Sequence, residues 1–165
     1  MKINQIVALL SSAGLSAMML QPTYAANNTS FKKVKTENSG SVIYYKGEAT
    51  VKGVINVTAP DDEYTPCNLC FSVDKKDFKK IPRTKGDDRD PWCAFDNARY
   101  NEANKTYQVL GLKVRSDKCY QPIPATIKIK NYKEDMTETE TVDETTLVKI
   151  ISMDKPKVII CELNQ

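Results

Sequence analysis

Hydrophobic and polar residues alternate with a period of two in several short stretches of the chain. The clearest stretch is Thr126–Tyr132, in which Ile127 and Ile129 alternate with Lys128 and Lys130. Because successive side chains of a strand point to opposite faces of a sheet, this alternation predicts a half-buried β-strand with its isoleucines inward. Other runs rich in β-branched and aromatic residues predict strands at 42–45, 50–58, 69–73, 92–95 and 106–115.

Two apolar runs near the C-terminus have a different pattern. Ile150–Ile151 and Val158–Ile160 are consecutive rather than alternating, which favours strands that are covered on both faces. A turn-like segment with Pro156 separates them. The pattern therefore predicts a hairpin formed by Thr145–Ser152 and Lys157–Leu163.

These segments together predict an all-β fold, since roughly seven to nine short strands are separated by turn residues and no convincing amphipathic helix is present. We expect an antiparallel two-sheet sandwich, Ig-like in broad architecture, with a small β-barrel as the alternative. A single domain covers residues 41–165. A polar segment at 26–40 precedes it, as a loose lead-in or a first edge strand.

The first 25 residues have another composition. Lys2 is followed by the apolar runs Ile6–Leu10 and Ala17–Leu20, and small residues lead up to Ala25. A basic start, an apolar core and an A-x-A-like end are typical of a cleaved secretory signal peptide, which we place at 1–25. Serine and glycine interrupt the apolar stretch, so it is too short for a membrane span. We therefore expect an exported protein, periplasmic or secreted, with no membrane span in the mature chain.

The amino-acid composition excludes several classes of catalytic and metal-binding site. The 165 residues include no histidine, 24 lysines and arginines and 21 acids. Without imidazole there is no Ser-His-Asp triad, no Cys-His pair and no HExxH zinc site. Lys2 is the only charge in the expected signal peptide, so the net charge falls from +3 to +2 after cleavage, which argues against a nucleic-acid partner. We expect no catalytic residues, no metal and no cofactor.

The five cysteines are Cys67, Cys70, Cys93, Cys119 and Cys161. Export exposes them to oxidising conditions, so we expect a domain stapled by disulfides, with one thiol left over. Two bridges among five cysteines allow fifteen pairings. Cys70 with Cys93 is the favoured pair, because each lies in a short β-prone run and the loop between them can return the chain. Cys67 with Cys119 is a second, weaker pair, and Cys161 is the expected free thiol.

The spacing Cys67-Asn68-Leu69-Cys70 also permits a thiol-disulfide protein. Redox sites of this kind need a low-pKa cysteine at a helix N-terminus. Here Pro66 precedes the first cysteine and a β-type run follows the second, so a structural role is favoured.

Charged residues concentrate in segments that the pattern predicts as loops. Residues 74–90 mix lysines and arginines with aspartates, and residues 134–144 carry six acids and no base. A charge run is most often a solvated loop, so we expect a mobile, charged loop at 74–90 and a solvated loop at 134–144. The acidic run could also serve as a docking face for a basic partner.

These features favour a non-enzymatic protein-binding domain, monomeric, acting as an inhibitor or an immunity protein on a cell-envelope or secreted partner. One alternative is a surface or fimbrial structural subunit, because Gly47–Ile55 resembles the start of such a subunit. The other alternative is the CxxC thiol-disulfide protein.

Overall fold

In the computed structural model, the described residues are 30–57, 68–101, 103–114, 118–138 and 141–160. They form strands and two short 3-10 helices, at Asn38–Gly40 and Lys75–Lys80, with no α-helix. The strands are β1 Lys32–Glu37, β2 Val42–Val57, β3 Leu69–Val73, β4 Trp92–Phe95, β5 Tyr100–Asn101, β6 Thr106–Tyr107, β7 Leu112–Lys113, β8 Lys118–Tyr120, β9 Ile123–Asp135, β10 Asp143–Met153 and β11 Val158–Ile160. The prediction of an all-β fold is confirmed.

Five of the strands form a closed ring of backbone pairings. The order is β2–β3–β4–β10–β9, and β9 pairs again with β2, while β1 adds to the outer edge of β2. We call this closed ring the barrel. The favoured prediction was a two-sheet sandwich with a small barrel as its alternative, and the described strands form one mixed six-stranded sheet beside a separate three-stranded sheet of β5, β6 and β7. The pairing of β4 with β10 is parallel, so the expectation of an antiparallel sheet holds for every pair in the ring except this one.

β2 is the longest strand, with sixteen residues, and it is shared between two parts of the wall. Its first part pairs with β1 and its last part with β3, and β9 runs along its other side. A Cβ atom on Gly53 would lie 2.0 Å from the backbone oxygen of Ser72 and 2.8 Å from the ring of Phe71. The close approach of β2 and β3 therefore requires glycine at this position.

The core lies inside the ring. Val51 and Ile55 of β2, Phe71 of β3, and Ile127 and Ile129 of β9 are fully buried there. Lys128 and Lys130 lie on the outer side, as the alternation predicted. Packing of these inner side chains supplies the main driving force for closure, since burying one such side chain contributes about 1.5–3 kcal/mol.

Cys93 is a free, buried thiol, so the predicted Cys70–Cys93 disulfide is wrong. The register explains this result: Phe71 lies opposite Cys93, whereas Cys70 lies opposite Ala94. Because neighbouring residues of a strand point to opposite faces, Cys93 points into the core and Cys70 points out of it. The Cys93 thiol donates a long hydrogen bond of 3.7 Å to the Phe71 carbonyl oxygen.

Other expectations about the cysteines and the N-terminus fall on parts of the chain outside the described residues. These parts are the signal peptide at 1–25, Cys67, Cys161 and the side chain of Cys119. Within the polar segment at 26–40, Lys32–Glu37 forms β1 at the edge of the sheet.

Two predicted strand arrangements differ in the structure. Residues 106–115 do not form one strand, because a turn around Gly111, whose φ is +64°, separates β6 from β7. The predicted C-terminal hairpin is wrong as well, since β10 pairs with β9 and β4, and β11 pairs with β8. Long-range pairing in the barrel replaces the local pairing that the turn residues suggested.

Gly53→Ala tests the tight approach of β2 to β3. We expect the variant to lose about 1–3 kcal/mol of unfolding free energy, because the new methyl group must displace a backbone oxygen or a buried ring. Urea denaturation measures this loss. The exposed Thr50→Ala on the same strand is the control and should change stability much less; equal effects of the two variants would contradict the prediction.

Candidate functional site

A cluster of buried charges closes one end of the barrel. Arg83, Asp87 and Arg89 belong to the loop between β3 and β4, Glu134 lies near the end of β9, and Asp143 begins β10. We call these five residues the ionic cluster. The connectivity brings them together because the β3–β4 loop and the β9–β10 loop lie at the same end of the ring.

Arginines supply the positive charge of the cluster. Arg83 Nη1 lies 2.8 Å from Asp87 Oδ2 and 2.8 Å from Asp143 Oδ2. Arg89 binds Asp87 with two nitrogens, Nε at 2.9 Å and Nη2 at 3.0 Å. Its Nη1 donates to the backbone oxygen of Asp135 at 2.8 Å. The flat guanidinium group suits such forked contacts, which a lysine could not make.

Glu134 is fully buried and accepts hydrogen bonds from neutral groups. The Tyr45 hydroxyl donates to Oε2 at 2.9 Å, and Thr84 donates its backbone N–H to Oε1 at 2.8 Å and its hydroxyl to Oε2 at 2.9 Å. Burial and the bond to Glu134 raise the pKa of Tyr45 to about 12. Tyr45 therefore stays protonated and acts as a donor.

Burial and nearby arginines act on both Asp143 and Asp87, but the net pKa shifts of the two carboxylates have opposite directions. Burial raises the pKa of Asp143, although Arg83 and a 2.5 Å hydrogen bond from the Tyr132 hydroxyl oppose the shift. Burial also disfavours the charge of Asp87, but the hydrogen bonds from Arg89 and the proximity of Arg83 outweigh it and lower its pKa to about 2. Asp87 is thus the carboxylate that the two arginines hold most firmly in its charged form.

The cluster corrects the expectation that these acids belong to solvated loops. Glu134 and Asp143 are 0% and 2% exposed, and they anchor the β3–β4 loop to the barrel through Arg83 and Arg89. A sequence signal was present: only four of the 24 basic residues are arginines, and two of those lie in this loop. Arginine is the usual choice for buried ion pairs, so their position pointed to a docked loop.

Cys93 lies close enough to the cluster to interact electrostatically with Asp143 and Arg83. Burial and the charge of Asp143 raise the pKa of the Cys93 thiol. A buried thiol of this kind is unreactive, because the thiolate is the nucleophile. Among the described residues, no group of three or more Cys, Asp or Glu side chains is arranged to hold a metal ion.

A gap in the wall lies along β2 between its pairings with β1 and β3. The 3-10 helix Lys75–Lys80 fills much of it: Asp77 accepts a hydrogen bond from the Lys52 N–H at 2.8 Å, and Lys80 Nζ donates to the Thr50 carbonyl oxygen at 2.9 Å. These side chains replace a neighbouring strand. A shallow cavity of about 360 Å³ remains, lined by Ser30, Glu48, Ala49, Thr50 and Lys80.

The main exposed apolar surface runs along β10 and β11. Four of the five large apolar side chains that the described residues expose lie there, each 41–51% exposed: Val148, Ile151, Val158 and Ile159. We call these four the apolar strip. The prediction of strands covered on both faces is therefore wrong for Ile151, Val158 and Ile159.

β-Bulges explain why part of the strip is exposed. The register between β10 and β9 shifts from Leu147 to Lys149 and again from Ile150 to Ser152. Val148 and Ile151 are the extra residues at these shifts, and a bulge redirects such a side chain. The β8–β11 pair continues the β9–β10 pair, through backbone bonds from Asp154 N to Pro124 O at 2.9 Å and from Gln121 N to Lys157 O at 3.0 Å, so the four residues lie along one extended edge. Val158 and Ile159 are neighbours on β11 and point to opposite faces of it.

Comparison with protein-family models, with curated proteins and with solved structures finds no match for this chain. In the described part of the chain, no helix has the length and apolar character needed to cross a membrane.

Asp87→Asn tests the ionic cluster. We expect the unfolding free energy at pH 7 to fall by about 3 kcal/mol, because Arg83 and Arg89 lose their shared carboxylate. The pKa of Asp87 is about 2 in the folded protein and 3.8 ordinarily. Its charge therefore stabilises the fold above pH 3.8, and this contribution disappears as the pH falls through about 2.

Urea unfolding across this pH range should show a difference between wild type and Asp87→Asn that narrows with acid. The neighbouring exposed Asp88→Asn is the matched control and should change stability by less than about 0.5 kcal/mol. A difference that stays constant down to pH 2 would contradict the assignment.

Proposed function

We propose that this chain is an exported, non-catalytic domain that binds another protein, in the manner of an inhibitor or an immunity protein. The observation that carries the proposal is the apolar strip. Exposed apolar side chains grouped along one edge of a protein are a common mark of a protein–protein contact. Export is supported by the basic, apolar and small-residue pattern of residues 1–25.

A stiff scaffold also supports binding as the role. Closed barrels have few free edges, and small five-stranded barrels such as the OB-fold commonly present ligand-binding surfaces on their walls and loops. Here the ionic cluster also fastens the β3–β4 loop to the barrel. Binding to a preorganised surface costs less conformational entropy, so a surface built on paired strands favours tight association.

The ionisable groups of the interior are better explained by a role in stabilising the fold than by a role in catalysis. Asp87 and Asp143 share Arg83, and Glu134 accepts three hydrogen bonds. A catalytic acid or base needs a path to a substrate atom. These carboxylates instead make their contacts with other residues of the same chain.

We also propose that Cys70 is part of a disulfide bond. Its full burial on the outer side of the wall supports this assignment. With Cys93 as the odd thiol, the other four cysteines allow three connectivities rather than fifteen. A bridge between distant parts of the chain contributes on the order of 3 kcal/mol in the chain-entropy model.

Alkylation without reductant tests the thiol assignment. We expect the folded protein to resist labelling, because burial raises the pKa of Cys93 and blocks access. After unfolding in guanidinium, peptide mapping should find the label on Cys93. Label on Cys70 under the same conditions would contradict the proposed bridge.

Capture of a partner from a native envelope extract tests the function. Immobilised wild type should retain a protein identifiable by mass spectrometry, and Val148→Ser with Ile151→Ser should reduce the retained amount by about tenfold, because these side chains form the centre of the contact. Val34→Ser is the matched control, since Val34 is 60% exposed and lies on β1, away from the strip. No capture by wild type, or equal loss with the control, would contradict the proposal.

A further inference from the structure

Four lysines lie on the outer surface of β2, β9 and β10, beside the apolar strip. We call Lys52, Lys128, Lys130 and Lys149 the lysine face. The small net charge of the chain conceals this feature, because most of the acids lie elsewhere. The ionic cluster contains three of them with two arginines, so it withdraws a net charge of −1 from the surface.

The strand register places these lysines side by side. Lys128 lies opposite Thr50 on β2 and opposite Lys149 on β10. Lys130 lies opposite Glu48, and Lys52 lies opposite Thr126. Residues that are directly paired point to the same side of a sheet, with Cβ atoms about 5 Å apart. The lysine face is therefore continuous across three strands.

Like charges meet directly in this surface. Lys128 and Lys149 form a cross-strand pair. Outside the face, at the β1 edge, Lys32 and Lys46 form another. Such pairs destabilise a sheet. Glu48, whose carboxylate is 2.5 Å from Lys128 Nζ, offsets only part of the charge. An external group with negative charge would relieve the remaining repulsion.

The lysine face also adjoins the strip, since Lys149 lies between Val148 and Ile151 on β10. Protein interfaces commonly combine an apolar centre with a charged rim that steers the approach of the partner. Resting on the proposed function, we propose that the lysine face is the rim of the binding surface and that the partner is a protein with carboxylates around an apolar contact.

The chemistry of the surface favours an acidic protein over other polyanions. The strip is formed by valine and isoleucine, whereas membrane-surface segments commonly insert tryptophan, phenylalanine or leucine. Proteins that bind single-stranded nucleic acids stack bases on aromatic side chains, and the strip and the lysine face contain none. Complementary charge is thus the feature that the partner must supply.

Lys52→Glu combined with Lys149→Glu tests this assignment. Both side chains are exposed, and Lys149→Glu places a carboxylate opposite Lys128, so the fold should be retained. Arg99→Glu with Lys113→Glu is the control, because it makes the same charge change at exposed positions outside the face. Unfolding midpoints establish that all three proteins are folded.

Binding to poly-L-glutamate and to phosphatidylglycerol vesicles is then measured at low and moderate salt. We expect wild type and the control to bind poly-L-glutamate equally, with affinity falling as salt rises, and the face variant to bind about tenfold more weakly. The same ranking is expected for the protein captured from the envelope extract. Equal binding of poly-L-glutamate by the face variant and wild type would overturn the proposal.

Three further results distinguish the proposal of an acidic partner from the proposed function. Tighter binding of wild type to the vesicles than to poly-L-glutamate would overturn the acidic-protein assignment in favour of a lipid surface. Capture that the face variant keeps and the strip variant loses would overturn the acidic partner alone and support the proposed function. No capture by wild type would count against the proposed function itself, whatever the result with poly-L-glutamate.

Discussion

A carboxylate removed from water needs a positive charge or hydrogen-bond donors around it, and this requirement shapes one whole end of the barrel. Asp143 and Glu134 are buried at the ends of β10 and β9, so the chain must bring donors to them. Arg83, with its 2.8 Å contact to Asp143, brings the β3–β4 loop with it. Removing one partner of such a group costs about 3–5 kcal/mol, which makes loop and barrel interdependent.

Closure of the ring of strands also determines which side chains lie on the surface of the protein. A five-stranded ring has room inside for one layer of core side chains, and every outward position of its strands is placed on the wall. Bulges in β10 then turn Val148 and Ile151 outward, and regular pairing sets Lys128 and Lys149 beside them. Val148, Ile151 and the lysine face therefore belong to the strands of the wall rather than to loops, and the rest of the apolar strip lies on β11 beyond it.

Strand register also separates the cysteines by role. A shift of one residue along β4 changes the face on which a side chain lies. Cys93 consequently lies in the core with Phe71, and Cys70 lies on the outer side. The core thiol is therefore shielded from solvent, and the two cysteines have different surroundings although they lie on neighbouring strands.

The sequence by itself determined the secondary structure well where the pattern was local. β3 and β4 have the predicted bounds, and the inward isoleucines of β9 follow from their alternation. It also excluded histidine chemistry. It could not determine which strands pair, because pairing depends on contacts between distant segments. The C-terminal hairpin and the Cys70–Cys93 bridge were wrong for this reason, and the prediction of solvated acids was wrong for Asp87, Glu134 and Asp143.

Only the tertiary structure decided which charges are buried and which apolar residues are exposed. Asp143 and Glu138 belong to one acidic run, yet the first is in the ionic cluster and the second is on the surface. Ile151 and Ile129 are equally apolar, yet a bulge turns one outward and regular pairing turns the other inward. Whether a side chain is buried depends on how the ring closes. Ring closure depends on contacts between distant parts of the chain, so a local sequence pattern does not reveal it.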